Sequence, residues 1–220
     1  TTIDFQRLNW TDQFQYVPLD PDCALVYLHS TYPQTPRRWP GPRFVAENAS
    51  DTMNIFRPFC EGKKSAAIVQ TVAHLNLLVA LELGANPIIL LGQDLSMPFE
   101  SHHAAGARAQ DQAPVDVSPG AFLDTVDFEG KPVKSRHSFM SMKTVFERII
   151  AANPDRTFLN CSEAGLALTG ARNVPLDAIL VQYAGQPVPE PLRLALRKTW
   201  QAYTPQISEG LLPSVAEIQT

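Results

Sequence analysis

One stretch of the chain carries a clear hydrophobic rhythm, and others read as continuously apolar. Thr71 to Leu83 is apolar almost all round, opens with a capping Thr71 and closes at Gly84, which predicts a buried helix. Pro87-Ile-Ile-Leu-Leu91 follows after a short turn. A β-branched and leucine run of that length predicts a parallel strand covered on both faces. Phe139, Met142, Val145, Phe146, Ile149 and Ile150 fall on one stripe at helical spacing, so a helix capped by Ser138 and ending before Pro154 is expected. Thr157 to Cys161 is a second buried-strand candidate, and Pro175 introduces a helix from Leu176 to Tyr183. Ala121 to Phe128 and Pro132 to Ser135 read as a hairpin turned at Gly130. Ala24 to Leu28 reads as a strand, followed by an irregular loop through Pro33, Pro36, Pro40 and Pro42. The long stretch 97–121 has little periodicity and reads as a mobile binding loop. Pro187, Pro189 and Pro191 form a connector to a last helix, Leu192 to Tyr203.

Helices alternating with short buried strands predict an α/β domain with a mostly parallel sheet over residues 1–185, then a Pro-rich connector and C-terminal helix over 186–220. Composition narrows the function classes. Of 220 residues 45% are hydrophobic and 18% charged, as in an ordinary globular chain with enough length for a sizeable core. Eighteen basic residues meet 22 acidic ones, for a net charge of -4, which argues against a nucleic-acid partner. No apolar run approaches the ~18 residues of a membrane span and no signal pattern opens the chain, so no membrane partner and a cytoplasmic location are expected. Cys23, Cys60 and Cys161 are odd in number and lack metal-ligand spacing. They read as buried thiols rather than a disulfide framework. Arg37, Arg38, Trp39 and Arg43 could hold an anion, although solvated arginines beside a half-buried Trp explain the pattern more simply.

Candidate chemistry collects after the two buried strands: Gly92-Gln93-Asp94 after the first, and Asn160 with Ser162-Glu163 and Gly165 after the second. In open α/β sheets ligands bind beyond the carboxyl ends of the strands, so both clusters are expected at one site. Asp94 is the leading catalytic residue, with Glu163 second; the competing roles are a helix cap and a turn. His102 and His103 open the long loop and supply a candidate general base, because imidazole titrates near neutral pH. No third ligand is spaced to make a metal site with Asp94 and these histidines. His74 reads as a hydrogen-bonded core histidine, and His137 either meets a phosphate at a helix start or lies in an exposed turn.

Leu83-Gly-Ala-Asn-Pro-Ile-Ile-Leu-Leu-Gly-Gln-Asp-Leu95, then His103-Ala and Gly106, resembles the motility accessory factor family, which includes 6-hydroxymethylpterin diphosphokinase-like proteins. Gly130-Lys-Pro-Val-Lys-Ser135, Phe146-Glu147, Asn160-Cys-Ser-Glu-Ala-Gly165 and Thr169-Gly170 echo the family's later motifs, so the resemblance covers residues 65–180. It implies a Rossmann-like three-layer domain similar to bacterial sialyltransferases. By carry-over it places Asp94, His103 and Glu163 among catalytic residues, and Gly92, Gln93 and Asn160 at the bound nucleotide; Ser162 and Thr71 join that binding set. Val69-Gln70 stands where members often have two glycines, Ala164 replaces the first glycine of a Glu-Gly-Gly run, and Ser135 stands where Thr is usual. The family's Gly-Pro-Ser nucleotide segment is absent from these residues, which leaves it either upstream of Thr1 or lost.

The resemblance implies transfer of a nonulosonic acid from a cytidine-monophosphate-activated donor to flagellin Ser or Thr, with Asp94 or His103 deprotonating the acceptor. The second enzyme reading is pyrophosphoryl transfer from ATP to a pterin, which needs Mg²⁺ on carboxylates such as Asp94 and Glu163. The third is a non-catalytic flagellin-binding scaffold. No cofactor is required by the first reading, and metal dependence separates it from the second.

Overall fold

The computed structural model describes residues 2, 7, 9–28, 30–46, 69–97, 120–162 and 165–186. The chain forms two compact units, Thr1–Gln182 and Tyr183–Thr220. The expected last helix, and nearly all of the long loop 97–121, lie outside the described residues.

The elements of the first unit alternate. After a π-helical turn Asn9–Phe14 come β1 (Leu25–Leu28), α1 (Gln34–Arg38), β2 (Arg43–Ala46), α2 (Val72–Glu82) and β3 (Ile88–Leu90). The hairpin β4 (Leu123–Val126) and β5 (Pro132–Ser135) follows, then α3 (His137–Ala151), β6 (Phe158–Asn160), β7 (Ala171–Asn173) and α4 (Leu176–Tyr183). Strands β3, β6 and β7 form a parallel sheet in that order, with Ile88 opposite Phe158 and Asn160 opposite Asn173. Strands β1 and β2 form a second parallel pair, and among the described strands the hairpin alone is antiparallel. The fold is therefore α/β with mostly parallel strands, as the alternating pattern predicts.

Helix α2 explains its own apolar composition. Leu77, Ala73 and Leu81 pack into one cluster with Ile88, Leu90, Phe158 and the α3 residues Phe146, Ile149 and Ile150. Leu75 and Val79 pack into another with Leu28, Val26 and Val69. A helix wedged between two strand systems keeps only a narrow solvent face, here marked by exposed Asn76 and Glu82. Thr71 caps it, its side chain accepting from the Ala73 N–H. On α3 the buried residues are Val145, Phe146, Ile149 and Ile150, four of the six on the predicted stripe.

Three expectations are corrected. The stretch after β1 is not wholly irregular: α1 and β2 lie within it, because Pro33 sits at a helix start and Pro42 precedes a strand, where a missing N–H costs least. The α3 N-cap is Arg136 rather than Ser138, since β5 runs straight into the helix, and His137 lies exposed in its first turn. Strand β3 is not covered on both faces. Ile88 and Leu90 are buried, but Ile89 is 37% and Leu91 59% exposed, because among the described residues α2 and α3 pack in one cluster on one face of β3.

The side chains of the arginine loop make contacts within the chain. Arg38 lies over the Trp10 ring at 5.4 Å, Arg43 donates to Pro36 O, and half-buried Trp39 donates to Cys23 O.

His74 is fully buried. Its Nε2 lies 3.0 Å from Met142 O and its Nδ1 accepts from the Gln70 N–H at 3.3 Å, which fixes a neutral imidazole with the proton on Nε2. Its ring meets Phe146 edge-on at 4.3 Å. Burial lowers its pKa from the usual 6.5, opposed by the hydrogen bond to Met142. Below that value the unfolded chain binds a proton that the folded chain resists, so stability is complete above it and falls as pH drops through it. Urea melts at pH 7.5 and 5.5 are expected to show this loss, and His74→Gln is expected to flatten the difference although it lowers stability at both pH values.

Candidate functional site

The parallel register decides where the polar strand ends go. Since β3 and β6 run side by side in the same direction, the residues after Leu90 and after Asn160 emerge at one edge. The ladder extends past the strands: Cys161 N–H donates to Leu90 O at 2.8 Å, and Gln93 N–H donates to Ser162 Oγ at 3.1 Å. Ser162 Oγ donates in turn to Asn160 Oδ1 at 3.0 Å, and Asn160 Nδ2 donates to Asn173 Oδ1 at 3.1 Å. One chain of side-chain hydrogen bonds thus crosses all three strand ends. Asn160 is 1% exposed and Ser162 8%, so these partners offset a desolvation cost of about 1–3 kcal/mol for each buried polar group.

Asp94 is fixed through its backbone. Its carbonyl accepts from the Leu166 N–H at 2.8 Å. A Cβ on Gly165, where φ is +113°, would stand 2.4 Å from that same carbonyl oxygen and 2.5 Å from the Asp94 Cα. Only glycine allows this approach, so of the Glu-Gly-Gly run it is the second glycine position that packing requires. Ala164 lies outside the described residues. The next residue, Leu95, has φ +51°, a left-handed conformation that costs a branched side chain ~1–2 kcal/mol. Ser135, fully buried, holds it by donating from Oγ to Leu95 O at 2.8 Å. Serine here supplies the hydroxyl that threonine would. The hairpin braces both sides of the site, since Met97 N–H donates to Lys134 O and Phe128 N–H donates to Gly165 O.

Farther along the edge, Glu147 on α3 accepts from the Thr169 N–H at 2.8 Å and pairs with Lys143, anchoring the turn that enters β7. Burial pushes its carboxyl up, but the hydrogen bonds from Lys143 and Thr169 outweigh this and hold it below the usual carboxylate range. The Cys161 thiol is buried, which raises its pKa and keeps it protonated and inert. A cavity of about 410 Å³ opens beside it, between Ser162, Asn173, Pro175 and Asp177 on one side and Phe128 and Glu129 of the hairpin turn on the other. That volume lies in the range of ~300–1,000 Å³ typical of small-molecule sites.

The structure therefore brings together Gly92, Gln93, Asp94, Asn160 and Ser162. Thr71 serves as the α2 cap, and Val69 and Gln70, where relatives often carry glycines, are committed to the core and to His74. His103, its neighbour His102 and Glu163 lie outside the described residues. Among the described residues no three His, Cys, Asp or Glu side chains gather as metal ligands, and no helix is long and apolar enough to cross a membrane. Asn173, Glu129 and Asp177 were not foreseen as site residues, and Gly165 was foreseen only as part of the polar strand end. Pro175 as a helix start was the one available signal that a strand ended just before it.

These features define a parallel α/β domain with a polar, cavity-bearing carboxyl edge, the edge at which open α/β sheets bind ligands. Over residues 1–99 the chain matches the family described as MptE-like, 6-hydroxymethylpterin diphosphokinase MptE-like, the family that the Leu83 to Leu95 string resembles. No curated protein and no solved structure matches it.

Gly165→Ala tests the close approach. It is expected to destabilise the fold by about 2–4 kcal/mol, combining backbone strain with overpacking, in a denaturant melt. A loss below about 0.5 kcal/mol would mean that Gly165 does not pack on Asp94.

Proposed function

We propose that the chain is a transferase of the MptE-like and motility accessory factor type, which moves a nonulosonic acid from a cytidine-monophosphate-activated donor to Ser or Thr of flagellin. The observation that carries this reading is the hydrogen bond from Gln93 N–H to Ser162 Oγ, with Gly165 packed on Asp94. It joins into one site the two strings on which the family resemblance rests. The three-layer, sialyltransferase-like arrangement is the fold that this reading implies.

In the reaction the Asp94 carboxylate, helped or replaced by His103, takes the proton from the acceptor hydroxyl. The hydroxyl oxygen forms a bond to the anomeric carbon of the sugar, the bond from that carbon to the phosphate oxygen breaks, and cytidine monophosphate leaves with the electron pair. Asn160, Ser162 and Gly92 hold the donor. At Gly92, φ is +68° and nothing lies within 4 Å of where a Cβ would stand, so open backbone faces an approaching ligand. Glu163 and Thr71 belong to the site as second carboxylate and binding hydroxyl.

Pyrophosphoryl transfer from ATP to a pterin is the second reading, favoured by the family description matched over residues 1–99. It would use Mg²⁺, which neutralises phosphate charge when bound. Of its ligands the described residues supply Asp94 alone, and no step through the ion follows from them.

Asp94→Asn keeps the shape and removes the base. It is expected to lower release of cytidine monophosphate in the presence of flagellin by ~10²-fold or more while the melting temperature stays within a few degrees. Unchanged turnover would remove Asp94 from the mechanism. Turnover that appears only with ATP, a pterin and Mg²⁺ would favour the second reading.

A further inference from the structure

The cavity beside Cys161 has a charge that a phosphate site would not have. Two carboxylates line it, Glu129 from the hairpin turn and Asp177 from the first turn of α4, and among the described residues no Lys, Arg or His does. The one feature that would attract an anion, the positive end of α4, is already occupied: Asp177 sits in the first turn and its Oδ1 accepts from the Ala178 N–H at 2.7 Å. Glu129 is paired with Lys131 at the exposed end of the turn, so its charge is partly compensated, outside the cavity lining. A phosphate entering here would meet like charge: among the described residues the lining holds no cationic side chain, and Lys131, outside it, is already paired with Glu129. Hydroxyls and amines would meet acceptors instead. Asn173 and Ser162 add neutral polar groups to the lining and Phe128 adds aromatic surface against which a flat ring can lie.

We propose that this cavity receives the uncharged end of the nucleotide, its ribose hydroxyls and base, with Glu129 and Asp177 accepting hydrogen bonds from it, and that the phosphate stays outside the cavity. The inference rests on the nucleotide-dependent reading above and adds the orientation of the ligand. It assigns Glu129, Asp177 and Phe128 a binding role that the family resemblance does not.

Removing the two charges gives opposite results for the two orientations. Calorimetric titration of the 220-residue chain with cytidine monophosphate, with adenosine diphosphate and with cytidine is the measurement, on the parent, on Glu129→Gln, on Asp177→Asn and on the double variant. The Asn side chain retains an oxygen for the Ala178 N–H, and melting temperatures verify that each variant is folded. The expected result is weaker binding of whichever nucleotide the parent prefers, by about tenfold in the double variant, with cytidine weakened by a similar factor wherever it binds. Tighter nucleotide binding in the double variant would place the phosphate in the cavity and overturn the proposal, as would unchanged affinity. Failure of the parent to bind either nucleotide would overturn the nucleotide-dependent reading itself, and it is seen without any variant.

Discussion

The site depends on the parallel pairing of β3 with β6. Three residues of each strand are in register, and the apolar side chains Ile88, Leu90 and Phe158 meet Leu77 of α2 and Phe146 of α3 in one buried cluster. Burial of such side chains contributes about 1.5–3 kcal/mol each relative to exposure, which is ample to hold so short a ladder. Because the pairing is parallel, the residues that follow each strand leave in the same direction. The ladder's last backbone bond, from Cys161 to Leu90, sets the spacing at which Gln93 reaches Ser162. A shift in this register would break the core and the site together.

Beyond the ladder the strand ends turn polar, and Asn160 and Ser162 are buried there. Asn160, Ser162 and Asn173 share hydrogen bonds, and such a network rigidifies its members only when each is satisfied. Asp94 stands between two restraints, Leu166 on its carbonyl and Gly165 against its backbone, and precedes a strained Leu95 that Ser135 holds. Strain of that kind persists where the surroundings over-determine the backbone, and it is found disproportionately at functional sites. These restraints act on the Asp94 backbone, and they fix where its side chain starts. The acidic cavity a few residues along the edge gives the site a second region of different chemistry, suited to neutral polar groups.

Much of this was legible in the sequence where burial imposes a period. Thr71 to Leu83 and the stripe from Val145 to Ile150 announce their helices because packing on the strands leaves them little choice of residue. The runs Ile88 to Leu90 and Phe158 to Asn160 read as strands, and their shared edge followed from α/β topology alone. Strand β7 did not, since three residues reading Ala-Arg-Asn carry no apolar run and pair through backbone groups that every sequence possesses. Strand β2 was hidden by the prolines before it, and the open outer face of β3 by a composition that does not distinguish a strand covered on one face from one covered on both. For the site, the sequence offered the polar strand ends but not Gly165's contact with Asp94 or the cavity walls, because these depend on residues far apart in the chain coming within ångströms. Ser162 was singled out for its neighbours, and its bond to Gln93, 69 residues away, is a property of the fold.

The central claim is that the two strand ends form one ligand site, and amide-resolved NMR titration of the chain with cytidine monophosphate and with adenosine diphosphate tests it most directly. The expected result is that Gly92 to Asp94, Asn160 to Ser162 and Asn173 to Asp177 shift together and saturate with a single dissociation constant. Shifts confined to one of these segments, or saturating with different constants, would contradict a single site, as would a spectrum that neither nucleotide changes.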